Sequence, residues 1–177
     1  MAVVLLGAIV AGLGWGYASW KGTGTFAMGP IKHGSLWLGT MSQSWKLKSA
    51  TDEVLAANEH SQPDLAAGGL AQLTTPCGEG AKLEIVDTYP LNRSGDTLVA
   101  EFTLAVNAAP TGTGQVAVAD QSGQQLATGV TGTGVTGTAT DNTTALVITL
   151  TYPVPACDPF DDPSRTYGGH NLKVVQK

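Results

Sequence analysis

The chain has 177 residues, a formal net charge of −5 and charged side chains at only 13% of its positions. This length suits one domain, or one domain with an appendage. Low charge together with 23 glycines argues against a disordered acidic tail and against a nucleic-acid binder, so we expect no nucleic-acid specificity. The charge is uneven, because residues 1–50 contain four lysines and no acid, and all 14 acids follow.

Residues 1–20 are the most distinctive stretch, because they carry no charged side chain and are apolar almost throughout. A membrane-spanning helix needs about 20 such residues. A secretory signal begins with basic residues, which are missing here. Glycines that alternate with apolar residues over 12–17 suit a strand packed closely on another backbone. A buried assembly element, a membrane helix and a signal peptide therefore all stay open.

We interpret this N-terminal segment as a buried assembly element, with a membrane anchor as the alternative. Its predicted assembly-interface residues are Leu5, Leu6, Ile9, Val10, Leu13, Trp15 and Trp20. Residues 21–34 are rich in glycine and threonine and contain Pro30, which is typical of a connector. The remaining residues, 35–177, are predicted to form one β-rich domain.

Short alternating segments separated by glycine and proline predict a mainly β domain, an antiparallel sandwich or barrel with at most one short helix. The expected strands are 36–38, 44–48, 82–89, 97–106, 115–119, 124–130, 145–152 and 172–176. Pro90 should end the third of these, and residues 91–96 are turn-forming, so the third and fourth strands are predicted to pair as a hairpin. The fifth and sixth predict a second hairpin around residues 120–123.

The single helix prediction covers residues 49–60. Ser49 or Thr51 could cap such a helix, and Asp52 and Glu53 suit its positive N-terminal end. Two further segments have little regular pattern. Residues 61–80 predict a long loop, and the Thr/Gly-rich residues 128–144 predict an exposed loop or an edge strand weakened by glycine.

The two cysteines, Cys77 and Cys157, lie beside prolines in loop-like sequence. A disulfide between them would close a long loop and imply an oxidising environment or a particle that leaves the cell. Two free buried thiols are the alternative, and the sequence does not separate these states.

Residues that carry chemistry form no convincing site. Asp158, Asp161 and Asp162 lie close together, but their spacing matches no known calcium loop, so a solvated acidic loop is the preferred interpretation. The three histidines are far apart in sequence, and each is predicted to be a surface or loop residue: His33, His60 and His170. The Gly-x-Ser-x-Gly motif and the phosphate-binding lysine loop are both missing. We therefore predict no catalytic residue, metal or cofactor.

Residues 39–54 combine an alternating basic strand with the acidic stretch Asp52-Glu53-Val54. In this they resemble small β-rich structural proteins of tailed bacteriophages. The resemblance implies a non-enzymatic subunit of a virion, in the tail, the neck or associated with the capsid, whose partners are copies of itself and other structural proteins. The alternative is a membrane-anchored β-domain, such as a pilin-like or envelope-complex subunit, attached through residues 1–20.

Overall fold

The computed structural model describes residues 34–58, 79–95, 99–110, 112–154 and 167–176. Within these ranges the chain forms ten β-strands and no helix. The strands are β1 (Gly34–Leu38), β2 (Ser42–Lys48), β3 (Val54–Asn58), β4 (Ala81–Gly95), β5 (Ala100–Val106), β6 (Gln115–Asp120), β7 (Gln125–Val130), β8 (Gly134–Ala139), β9 (Ala145–Val154) and β10 (His170–Gln176). The predictions for residues 1–20, for both cysteines and for the Asp158–Asp162 cluster lie outside the described residues.

The strands form two antiparallel sheets. The larger has the order β3-β2-β4-β9-β6-β7, with β1 also paired to β4, and the smaller has the order β10-β5-β8. Alternate side chains of both sheets belong to one hydrophobic core. Its largest fully buried side chains are Tyr152, Phe102, Leu47, Leu83, Ile85, Leu104, Leu146, Ile148, Leu150, Val116 and Val118. The predicted mainly β, sandwich-like fold is confirmed.

The long strand β4 holds two strands along the same edge. β2 lies opposite residues 82–88, and β1 lies opposite residues 91–95. Between them, residues 39–41 face only residues 89–90, so the β1–β2 side contains one extra residue, as in a β-bulge. The N–H of Gly39 donates to the carbonyl of Pro90 at 2.7 Å inside this bulge.

The extra residue decides which side chains reach the core. Side chains alternate along a strand, so an uninterrupted strand would bury residues of one parity only. Here the even-numbered Leu36 of β1 and the odd-numbered Trp45 and Leu47 of β2 are all buried. The bulge therefore keeps both apolar rows facing inward against β4.

The predicted hairpin of residues 82–89 and 97–106 is wrong. β4 pairs with β1, β2 and β9 in the larger sheet, whereas β5 pairs with β8 and β10 in the smaller one. Pro90 does not end β4, because it lies beside the bulge, where the regular ladder to β2 and β1 is already interrupted. Alternation identified both strands correctly, but it carries no information about which partner each strand takes.

The predicted helix is also wrong over its described residues, 49–58. The Oγ of Ser49 accepts from the N–H groups of Thr51 and Glu53 at 3.2 and 3.1 Å, and Asp52 has a φ of 62°. These bonds close a turn between β2 and β3 instead of starting a helix. A side chain that caps a helix can equally stabilise a turn.

Other strand predictions are confirmed. β6 and β7 form the predicted second hairpin, in which Asp120 Oδ1 accepts from the N–H groups of Ser122 and Gln124 at the turn. β8 is the predicted glycine-weakened edge strand. β9 extends beyond its predicted end through Pro153. This is tolerated because β6 begins opposite Thr151, so that among the described strands only β4 pairs with β9 beyond that point.

Candidate functional site

Four polar side chains occupy core positions between the two sheets. Gln43 comes from β2, Asp87 and Tyr89 come from β4, and His170 begins β10. Each lies on the inward row of its strand, and Asp87 and Tyr89 are adjacent on the row of β4, between Ile85 and Leu91. Asp87 has no exposed surface, with a relative exposure of 0%. Alternation, not a local motif, thus brings these groups together.

The four side chains form a connected chain of contacts that crosses from one sheet to the other. Gln43 Nε2 donates to Asp87 Oδ1 at 2.6 Å within the larger sheet. Tyr89 Oη and His170 Nε2 are 2.8 Å apart, and their rings meet edge to face with centroids 5.8 Å apart. Asp87 Oδ2 lies 3.6 Å from His170 Nδ1. The polar groups of β4 and β2 are therefore tied to β10 in the opposite sheet.

The carbonyl of Gly168 decides the tautomer of His170. His170 Nδ1 lies 2.8 Å from this oxygen, and a carbonyl can only accept, so Nδ1 carries the proton. In the neutral ring Nε2 is then an acceptor, and the Tyr89 hydroxyl donates to it. Both nitrogens of the neutral imidazole are thereby satisfied.

Burial shifts the pKa values of three side chains in the cluster. It raises the pKa of Asp87 from 3.8 to about 7, although the hydrogen bond from Gln43 opposes this shift. It lowers the pKa of His170, partly offset by the bond to Gly168, and it raises the pKa of Tyr89, aided by the nearby charge of Asp87. Desolvation thus favours a neutral cluster, with the acidic proton on Asp87 and an uncharged imidazole.

A second set of contacts fixes the chain that leads into β10. The N–H of Gly168 donates to the hydroxyl of Tyr152 at 3.0 Å. The Tyr152 ring packs edge to face on Tyr167, with centroids 5.3 Å apart, and burial raises the pKa of Tyr152 to about 12. These contacts hold the carbonyl of Gly168 where it meets His170.

Arg93 shares the inward side of the larger sheet, opposite the buried Leu36 and two residues after the buried Leu91. All three of its guanidinium nitrogens are buried without a hydrogen-bond partner among the described residues. Burial lowers its pKa, and the charge of Asp141 offsets this effect. Arg93 therefore places an incompletely satisfied cation at the margin of the core.

The sequence predicts this cluster only in part. His170 was predicted to be a surface or loop residue, and this is wrong, because it is buried in β10. One signal was available: His170, Leu172 and Val174 alternate as one apolar row, and Asp87 follows Leu83 and Ile85 in another. Neither row shows that the two residues meet. Of the predicted interface residues and the other two histidines, none lies within the described ranges.

The described residues contain no group of three or more side chains placed to hold a metal ion. They also contain no helix with the length and hydropathy that crossing a membrane requires. Comparisons of the chain with protein-family models, with curated proteins and with solved structures gave no match. The described part is thus classified by its own architecture, as an antiparallel two-sheet domain with a buried polar link between its sheets.

Proposed function

We propose that this protein is a non-enzymatic structural subunit of a virion, in the tail, the neck or associated with the capsid. It acts by assembling with copies of itself and with other structural proteins. The observation that carries the proposal is the open edges of both sheets. In the described part of the chain, β3 and β7 end the larger sheet, and β10 and β8 end the smaller one. Such edges offer unpaired backbone groups to a strand from a neighbour.

The edge at β3 is the most suitable of these for a contact between subunits. Val54 begins this strand and is 51% exposed, whereas Leu55 and Ala56 pack partly against the core. A neighbouring strand could therefore extend the sheet and cover apolar surface at the same time.

The polar cluster supports a structural role from inside the domain. Asp87, His170 and Tyr89 face one another between the sheets and join β4 to β10. A buried network of this kind favours one arrangement of the two sheets over others. A subunit that repeats many times in a particle needs such a uniquely defined shape.

Sedimentation velocity of the full chain, expressed without detergent, tests the proposal. We expect large soluble particles or tubes, and a smaller species when residues 1–20 are deleted. Val54→Lys should reduce assembly, whereas Thr51→Lys, in the exposed turn before β3, should not. A monodisperse monomer would overturn the proposal. Recovery only in the membrane pellet, with release by detergent as small units, would favour the membrane-anchored β-domain.

A further inference from the structure

The outward faces of the two sheets differ in character. On the smaller sheet most outward side chains are exposed and are polar or charged: Glu101, Thr103, Thr136, Thr138, Asn171 and Lys173. Two apolar side chains share this face, the exposed Ala105 and the partly buried Val175. At the centre of the larger sheet the outward side chains are only half-exposed and uncharged. This second set, here called the central patch, consists of Val86, Thr88, Ala117, Ala119, Val147 and Thr149.

The central patch is continuous across three neighbouring strands. Thr149 lies between Val86 and Ala117, and Val147 lies between Thr88 and Ala119, so β4, β9 and β6 contribute two complete cross-strand rows. The nearest ion pair on this face, Lys48 with Glu84 at 2.7 Å, lies to one side of both rows. These two rows of small and β-branched side chains therefore carry no charge, and Glu84 marks their border on β4.

Parts of two of these strands, β6 and β9, have sequences typical of strands covered on both faces. A strand with one wet face alternates apolar and polar residues, whereas a strand buried on both sides is continuously apolar. Residues 116–119 read Val-Ala-Val-Ala, and residues 145–148 read Ala-Leu-Val-Ile. By contrast, residues 101–104 of the smaller sheet alternate as Glu-Phe-Thr-Leu. β6 and the first part of β9 thus have the pattern of strands whose outer face is also packed, whereas residues 81–85 of β4, Ala-Lys-Leu-Glu-Ile, alternate.

We propose that the central patch is the docking surface for residues 1–20 of a neighbouring copy of this chain. The segment and the patch are matched in chemistry, because neither contains a charged side chain. The segment is also a long apolar stretch that needs cover from water, at roughly 25 cal/mol for each Å² of apolar surface. The inference rests on the proposed assembly function and names a second contact surface in addition to the β3 edge.

The chain has enough length for this contact. Residues 21–33 join the segment to β1 and can span at most about 43 Å when extended. Gly34 lies opposite Gly95, and the patch begins eight residues away at residues 86–88, roughly 26 Å along β4. The connector is therefore longer than the distance from Gly34 to a central patch, so its length permits the segment to dock on one.

Photo-crosslinking of the full chain tests the contact directly. The photoreactive residue p-benzoylphenylalanine would replace Val147 in the patch or, as the control, Thr138 on the exposed face of the smaller sheet. Isotope-labelled and unlabelled chains are mixed before assembly, and mass spectrometry identifies the crosslinked peptides. We expect position 147, but not position 138, to crosslink to peptides from residues 1–20 of the other copy.

Every other result from position 147 overturns the inference. Crosslinks within one copy would mean that the segment covers its own domain. Crosslinks to the sheet of another copy would mean that the patches pack face to face, and no crosslink would mean that the patch is uncovered. If particles form without the expected crosslink, the docking inference fails while the assembly proposal stands. If the expected crosslink forms but the chain assembles only into a small oligomer, the docking inference stands and the proposal of a virion subunit fails.

A charge in the patch gives an independent measurement. Val147→Lys should raise the concentration of unassembled subunit at least about tenfold, since a buried unpaired charge is costly. Thr103→Lys, on the outward face of the smaller sheet, should leave it unchanged. Thermal unfolding of the variant that lacks residues 1–20, with and without Val147→Lys, shows whether the domain still folds. Equal assembly by both lysine variants would contradict the inference.

Discussion

His170 Nδ1 of the smaller sheet lies 3.6 Å from Asp87 Oδ2 of the larger sheet, and neither side chain has appreciable contact with water. The distance is too long for a hydrogen bond but short for two titratable groups in a core. Burial raises the pKa of the carboxyl and lowers that of the imidazole. Below about pH 7 the folded pair therefore carries one titratable proton, on Asp87, while His170 is neutral. Between about pH 4 and pH 6.5 the unfolded pair also carries one titratable proton, but there it is on the histidine.

His170→Gln should expose the titration of Asp87. The folded pKa of Asp87 is about 7 against 3.8 in the unfolded chain, so the folded state binds the extra proton between these values. Relative to the wild type, the free energy of unfolding should then fall as pH rises from about 4 to about 6.5, by up to about 1.4 kcal/mol per pH unit. Urea unfolding across this range measures the slope. A slope equal to that of the wild type would mean that Asp87 titrates normally.

Asp87→Asn should produce the opposite slope. His170 then titrates alone, with its folded pKa below the ordinary value of 6.5. The folded state resists protonation, so the free energy of unfolding should fall, relative to the wild type, as pH drops below about 6.5. The double variant serves as the control, because without either group its pH dependence should parallel that of the wild type over pH 4 to 6.5. Parallel curves for the two single variants would refute the conclusion that the folded and unfolded pair carry the same number of protons in this pH range.

Tyr89→Phe should lower the free energy of unfolding by about 1 kcal/mol, since it removes one buried hydrogen bond between the sheets. The tautomer of His170 should not change, because the carbonyl of Gly168 still requires the proton on Nδ1. The ¹⁵N chemical shifts of the imidazole ring report this tautomer directly. A proton on Nε2 in the wild type would show that Tyr89 accepts instead of donating.

Gly137→Ala should be destabilising by about 1–3 kcal/mol, the usual cost of overpacking a core. A Cβ on Gly137 would overlap the ring of Phe102, which lies directly opposite on β5 and is buried. Gly134→Ala in the same strand is the matched control, since its Cβ would have no neighbour within 4 Å. Thermal unfolding compares the two variants. Equal midpoints would mean that Phe102 shifts freely into other space.

Arg93→Met should increase stability by about 1 kcal/mol or more, since it removes a charge whose nitrogens are buried without an acceptor. The apolar stem, on a residue opposite Leu36 in the sheet, is kept in part. Arg93→Lys retains the charge and should give no such gain. Chemical unfolding at neutral pH compares both variants with the wild type. A loss of stability in Arg93→Met would show that the guanidinium has a favourable partner, for which Asp141 is a candidate because its charge raises the pKa of Arg93.

The bulge at residues 39–41 illustrates where sequence patterns stop being informative. Leu36 and Trp45 differ in parity, which taken alone suggests that their strands face different ways. Both are buried, because three residues on one side lie opposite two on the other. The strands were predictable from alternation, but the register that aligns them depends on contacts with β4.

By itself, the sequence determined the class of the fold, most of the strands and the inward rows of β5 and β9, because side-chain alternation is a local property of an extended chain. The sequence also determined the turn at Asp120–Gly123, whose hydrogen bonds join residues close in the chain. Tertiary structure alone decided that β4 and β5 lie in different sheets. Tertiary structure also placed His170 beside Asp87 and Tyr89, although His170 lies 81 residues after Tyr89 in the chain. Pairing of this kind depends on packing between distant segments, which no local pattern specifies.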